Sequence, residues 1–542
     1  MVNKRPRASA DSRVGLRASR LYQALAAALM IGMTPFTASA ATIAATSPDD
    51  TDPSAITTCT LRQAILSMNT GMLRGNCANT VPGDAFGTND TIRFAQSIVT
   101  GALIPATITL ADSNDSTGSI GGTLLITASD LTIDAIEWRG NGPNQYRGGV
   151  TIIRPATATN NFRILRHTAP AGASLTLSGL TLSGGSAVSS TCGNTFDAGG
   201  GGICTENMNL SLIQSTVSGN TTNDAGGGIS CFGGTLTVSE STISGNSAFF
   251  GGGLYTRDTA TNLNRSTISG NSGGSSGGGI VLFYGALSVT NSTISGNSAS
   301  QGGGIFIKNA DLHVDHVTVT NNTATSTGGI KGINDANVIT TPEITNTIYA
   351  GNTQTTGFNV SVAYFFSDDG TRNVVSGPIN LGPLQDNGGP TQTMLPLPFS
   401  VAIDYSSACG SGIDQRGVSR PQGVFCDAGA VEIRQGIATL SVTVDGNGAV
   451  SGRGINNCSS SGGVCSATYA FDETLPAISA PIAVTPARGW RVTSVTPTPA
   501  ICGGTLSADG LTYTTNTLMQ DCAIAVQFRE RDEIFQNGFE GQ

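Results

Sequence analysis

Lysine is almost missing from this 542-residue chain, which holds only Lys4, Lys308 and Lys331. A lysine-poor, acidic surface repels phosphate backbones; this excludes nucleic acid as a partner and argues against simple electrostatic docking on anionic lipid. Aromatic residues make up 6% of the chain, and the helix formers Glu, Lys and Gln are scarce. An all-β fold is therefore expected. No stretch beyond residue 40 is long and apolar enough for a transmembrane helix, so no transmembrane span is expected. No CxxC pair or Cys/His cluster has metal-ligand spacing, and no cofactor is implied. An LPxTG-type motif and an apolar C-terminal anchor are also lacking.

What is present begins with an export signal. Lys4, Arg5, Arg7, Arg13, Arg17 and Arg20 form a basic region, Leu21 through Met33 an apolar one, and Ala38-Ser39-Ala40 a small-residue cleavage pattern. The apolar core is too short to span a bilayer comfortably. Residues 1–40 therefore read as a signal peptide, and the protein as secreted or cell-surface. Its removal takes away six basic residues and Asp11, leaving 21 basic against 35 acidic residues, a net −14.

In an exported chain the 11 cysteines should mostly pair. Nearest-neighbour pairing gives Cys59–Cys77, Cys192–Cys204, Cys409–Cys426, Cys458–Cys465 and Cys502–Cys522, with Cys231 left over.

Glycine is extreme, at 72 residues, yet periodic rather than scattered. The phrase STVSGN ends at Asn220, STISGN at Asn246, Asn271 and Asn297, and VTVTNN at Asn322, at spacings of 26, 25, 26 and 25. Glycine runs end just before Ile203, Ile229, Leu254, Ile280, Ile305 and Ile330 with the same beat. Two landmarks sharing one period signal a repeat architecture. Three residues before each Asn stand Val217, Ile243, Ile268, Ile294 and Val319; eight before stand Leu212, Val238, Leu263, Val289 and Val314. Ten before stand Leu210, Leu236, Thr261, Leu287 and Leu312. The last two sets alternate as on a half-buried strand, with Ser, Thr and Asn flanking them on the outer face.

Each repeat is thus expected to hold three short strands: one after the glycines, the L-x-V segment and the T-I-S segment. They fit a right-handed parallel β-helix of about 25 residues per coil. The asparagines should stack at a turn and bond between coils, and the glycines should turn through positive φ. Cys231 shares its phase with Thr256, Leu282 and Ile307 and should be a buried free thiol; Cys204 should face outward. The helix is placed at 41–433, with 42–100 and 376–433 capping its ends. Residues 437–529 read as a small disulfide-stapled β domain and 530–542 as a tail.

Cys59-Thr60-Leu61-Arg62-Gln63-Ala64-Ile65, followed by Asn89-Asp90-Thr91-Ile92-Arg93-Phe94, resembles the CSLREA-type motif that opens many bacterial exported β-helix proteins; Thr60 and Gln63 depart from its common form. LGPLQDNGGPTQTMLPLP at 381–398 and DQRGVSRPQGVFCDAGAVE at 414–432 resemble the end of the choice-of-anchor family of bacterial surface and secreted proteins. The GGGI and SGN phrases resemble repeats of the β-helical polymorphic outer-membrane adhesins of chlamydiae. Residues 438–528 look like β-rich extracellular repeats, and Ile534–Glu540 like a terminal signature of exported proteobacterial proteins. The resemblances span about 57–432. They imply a pectin-lyase-like β-helix and a surface role, but carry no activity with them.

A polysaccharide lyase would need clustered carboxylates for calcium and a base, and a hydrolase paired carboxylates. Between Asn209 and Gly329 the acids Asp224, Glu240, Asp258, Asp311 and Asp315 share no single phase. Asp311, His313, Asp315 and His316 are the candidate outer-face site. Asp414, Arg416 and Arg420 read as ion pairs of the cap. The expected function is non-enzymatic: adhesion to an extracellular ligand, either a polysaccharide or a surface protein. A lyase or hydrolase of the same fold, and an architectural spacer, are the alternatives.

Overall fold

The computed structural model describes residues 40–531 apart from 51–57, 81–83, 88, 97–102, 105–106, 114–121, 139–145, 188–191, 193–198, 336–341, 356–372, 411, 453, 474–480 and 516–519. The expected signal peptide, save Ala40, and the C-terminal signature lie outside the described residues.

The main body is a right-handed parallel β-helix, the hand that parallel crossovers in a sheet adopt. One coil consists of Ile229–Phe232, Thr235–Ser239, Thr242–Ser244 and Ser247–Phe250. There are four strands per coil, not three. Apart from Phe249 and Phe250, the fourth is built mostly of small residues with little β propensity of their own, as in Ser272–Ser276, and exists because it pairs with its neighbours in adjacent coils. In the next two coils the first and second strands run together as Leu254–Asn264 and Ile280–Thr290.

Equivalent residues stack in register. Ile243 pairs with Ile268, Ile268 with Ile294, and Ile294 with Val319. Leu236, Val238, Ile243, Leu263, Ile268, Leu287, Val289 and Ile294 are all buried in one continuous core. Cys231, Thr256, Leu282 and Ile307 form another inward row. Cys231 is free and buried, and burial pushes its thiol up to about 12.

The glycines divide the work. In the run at 251–253 only Gly251 turns through positive φ, at 61°. Gly253 is needed for a different reason: a Cβ there would lie 2.6 Å from the Gly279 carbonyl oxygen of the next coil.

The asparagines form a buried column at one corner. Nδ2 of Asn220 donates to Oδ1 of Asn246 at 3.0 Å, and the pattern repeats through Asn271, Asn297, Asn322 and Asn352. The second proton of each amide goes to a third-strand carbonyl, such as Val217 for Asn246 at 2.9 Å. Each Oδ1 also accepts the backbone N–H of the preceding Asn. Every polar group of the column is therefore satisfied, which burial requires.

The N-terminal end is covered by α1, Leu61–Thr70, the one helix of length among the described residues. Thr60 and Gln63 form a reciprocal capping box at its start, and Gly71 ends it in the left-handed conformation. Leu61, Ala64, Ile65 and Met68 bury into the main core. Arg62 makes a two-pronged bond to Asp50, at 2.7 and 2.6 Å, with both side chains nearly solvent-free.

Part of the segment expected to cap the other end packs on the last coil, with Ala402 and Ala428 against Ile348 and Val374. The same segment, 376–433, also runs as a belt along the outside of the third strands. Gln415 reaches Thr267 and Thr293, Thr267 reaches the Gln392 carbonyl, and Ala430 N–H donates to Thr318 Oγ1. This belt buries Thr267, Thr293 and Thr318 from outside while the core buries their neighbours from inside. The first-strand outer face is apolar, and Cys204 faces outward on it as expected. It carries an apolar row with Cys204, Tyr255, Val281 and Phe306, flanked by Phe232.

Residues 435–530 form two further sheets with a core of their own that includes Leu440, Val450, Ile482, Ile524 and Phe528. The five cysteine pairs occur as disulfides, two of them in this unit.

Candidate functional site

Three of the coil's outer surfaces differ in cover. The belt closes the third-strand face, and the apolar row lies over the first-strand face. The second-strand face is open. Its central outward row reads Ser211, Thr237, Asn262, Ser288, His313 and Glu343, each in register with the next. Alternation puts the apolar partners Leu212, Val238, Leu263, Val289 and Val314 inside.

A shallow depression of about 310 Å³ lies on this face, lined by Ala260, Asn262, Ala286, Ser288, Asp311, His313 and Glu343. The ring nitrogen Nδ1 of His313 is 3.2 Å from Oε2 of Glu343, with side chains 44% and 64% exposed. A hydroxyl- and amide-rich floor ending in a His–carboxylate pair can offer donors and acceptors to a ligand laid along the coils.

The four residues expected to share a site do not. Asp311 and His313 line the depression. Asp315 and His316 turn the corner, where His316 adopts φ 53° and is fully buried. Nδ1 of His316 is 3.1 Å from Oδ1 of Asp315, without hydrogen-bond alignment. Asp315 also accepts from Thr345 Oγ1 and Asn346 Nδ2, both at 2.8 Å. Burial raises the Asp315 pKa, but His316, Asn346 and Thr345 outweigh it and hold the carboxyl down to about 2. The belt closes over this pair at Gly410, where a Cβ would stand 2.9 Å from His316 Nδ1. The split follows from the corner: residue 316 no longer alternates with the strand that ends at Asp315.

Glu343 escaped the sequence reading. It falls 30 residues after His313, one coil on, because the last coil carries an insertion. The only hint was that Asn352 also follows Asn322 by 30 residues.

Asp414, Arg416 and Arg420 lie in a buried network of the belt. Arg416 bonds Asp414 at 3.0 Å and Glu473 at 2.8 Å, and Arg420 bonds Glu432 at 3.0 Å. Burial and the neighbouring Glu432 carboxylate push Asp427 up to about 7. Among the described residues, no group of three His, Cys, Asp or Glu side chains could hold a metal ion.

No protein-family model matches the chain, and no curated protein does. Two solved structures are similar to it. A pectate lyase, Pel9A, is 11% identical with TM-score 0.38, covering 73% of this chain and 97% of its own. The DFA-IIIase from Arthrobacter chlorophenolicus A6 without its lid is 10% identical with TM-score 0.15, covering 60% of this chain and 98% of its own. Likeness at this level says nothing about activity or substrate.

Proposed function

We propose that this chain is an exported bacterial surface or secreted protein that binds an extracellular polysaccharide or surface protein without cleaving it. The ligand lies along the open second-strand face. The observation that carries this reading is the contrast between faces: the third-strand face is belted and the first-strand face apolar, while the second presents Thr237, Asn262 and Ser288 in register beside the His313–Glu343 pair. The likeness of 57–432 to CSLREA-type and choice-of-anchor proteins supports export and a surface role. Five disulfides and the absence of a membrane-length apolar helix among the described residues fit an extracellular setting.

The test incubates purified residues 41–542 with a panel of polysaccharides, scoring retention and chain shortening in the same tubes. Retention without shortening, weakened about tenfold by Asn262→Lys or His313→Ala, is expected, a loss of about 1.4 kcal/mol. Shortening that disappears in Glu343→Gln would make the protein an enzyme and overturn the reading.

A further inference from the structure

Just before the strand Thr91–Gln96 lies a buried carboxylate with no cation. Asp90 is 1% exposed, and its Oδ1 accepts the backbone N–H of Ala41 at 2.9 Å. Its Oδ2 accepts the backbone N–H of Gly87 at 3.0 Å. Among the described residues no Lys, Arg or His pairs with it. A buried charge served only by neutral donors is costly. Ala41 itself is fully buried and fixed in place: its carbonyl accepts from Thr91 N–H at 2.8 Å, and the strand Thr42–Ala45 pairs in parallel with Thr91–Phe94. Directly before it stands Ala38-Ser39-Ala40.

We propose that Asp90 is the binding site for the α-ammonium group of Ala41, created when the Ala40–Ala41 bond is cut during export. A hydrolase of the export machinery adds water across that peptide bond. Ala40 departs with the leader as a carboxylate, and the Ala41 nitrogen takes the proton and becomes an ammonium. The nitrogen that donated one hydrogen bond as an amide now brings the cation Asp90 lacks, at the same position. The cut comes before folding, because in the folded chain Ala41 is buried and Ala40 bridges to Ala85. Processing thereby completes the N-terminal end of the helix, beside the end-covering α1.

The full chain is exported from its own Met1 and its N-terminus read by mass spectrometry. Ala41 is the expected first residue, and any other overturns the proposal. The folded mature protein is then treated with an amine-acylating reagent; its only competing amines are Lys308 and Lys331. Acylation at Ala41 should be at least about tenfold slower than in the urea-unfolded chain, the effect of one unit of ammonium stabilisation. Asp90→Asn should reduce that protection, leaving the part that burial of Ala41 supplies. As a second arm, a mature chain beginning at Ser39 replaces the ammonium with an amide. It should unfold at lower urea than the chain beginning at Ala41, and the difference should vanish in the Asp90→Asn background. Equal midpoints for the two starts in the wild-type background, or protection undiminished by Asp90→Asn, would overturn the assignment.

Discussion

Asn271 Oδ1 accepts two hydrogen bonds from Asn246, one from its backbone N–H and one from its side-chain Nδ2, both at 3.0 Å. Asn271 in turn donates to Asn297 and to the Ile243 carbonyl, both at 2.9 Å. One residue thus serves the coil on either side of it. Asn271→Ala strips acceptors and donors from three buried partners, at about 1–3 kcal/mol for each group left unpaired. A loss of about 3–5 kcal/mol is expected, read as a lower urea midpoint. A loss below about 1 kcal/mol would show that water replaces the amide and that the column is not a main source of stability.

The glycine runs make a paired prediction. Gly253→Ala drives a Cβ against the Gly279 carbonyl, whereas at Gly87 a Cβ meets nothing within 4 Å. The first should destabilise by at least the ~1–3 kcal/mol of an overpacked core. The second should leave the thermal midpoint nearly unchanged. Similar shifts for both would remove close coil-to-coil approach as the reason for the run.

Glu473 fastens the C-terminal unit to the belt through Arg416, while its Oε1 also accepts the Arg434 backbone N–H at 2.8 Å. Glu473→Ala leaves the buried Arg416 with the Asp414 carboxylate and the Glu432 carbonyl, one carboxylate short. Breaking a buried pair costs about 3–5 kcal/mol, so this junction should loosen before either core does. Limited proteolysis should cut near residue 434 faster in the variant. Unaltered cleavage there would place the attachment elsewhere.

Two buried groups make stability depend on pH with opposite signs. His167 is fully buried in the inward row beside Thr205, and burial pushes its pKa down to about 4. The unfolded histidine titrates near ~6.5, so below that pH the unfolded chain binds the extra proton. Stability present above pH ~6.5 is lost as pH falls toward 4, by about 3 kcal/mol. His167→Leu should flatten that acid-side loss. Asp427 is raised to about 7, so its contribution is present below the unfolded value of ~3.9 and lost as pH rises through 7. Asp427→Asn should therefore gain relative stability between pH 5 and 8. Denaturant midpoints across pH 4–8 check both; identical slopes in all three proteins would refute the pair.

The sequence by itself determined the coil. Period 2 within Leu236-Thr237-Val238, repeated every 25 or 26 residues, leaves one way to bury those side chains, by stacking equivalent positions. Cys231 shared its phase with Leu282 and Ile307, so its inward direction followed from counting. The helix Leu61–Thr70 and its capping box of Thr60 and Gln63 came from the structure, because one short helix in an all-β chain leaves no repeat to read. Tertiary structure alone decided what covers what. The fourth strand, Ser272–Ser276, has almost no propensity and forms only between neighbours. The belt could not be placed, because Gln415 meets Thr267 across 148 residues with no period linking them. Glu343 joined His313 only once an insertion had shifted the count to 30. Repeats announce themselves because each coil imposes the same burial on the same positions; a non-repeating segment packed on their outside, or a residue displaced by an insertion, is fixed by contacts that leave no rhythm in the chain.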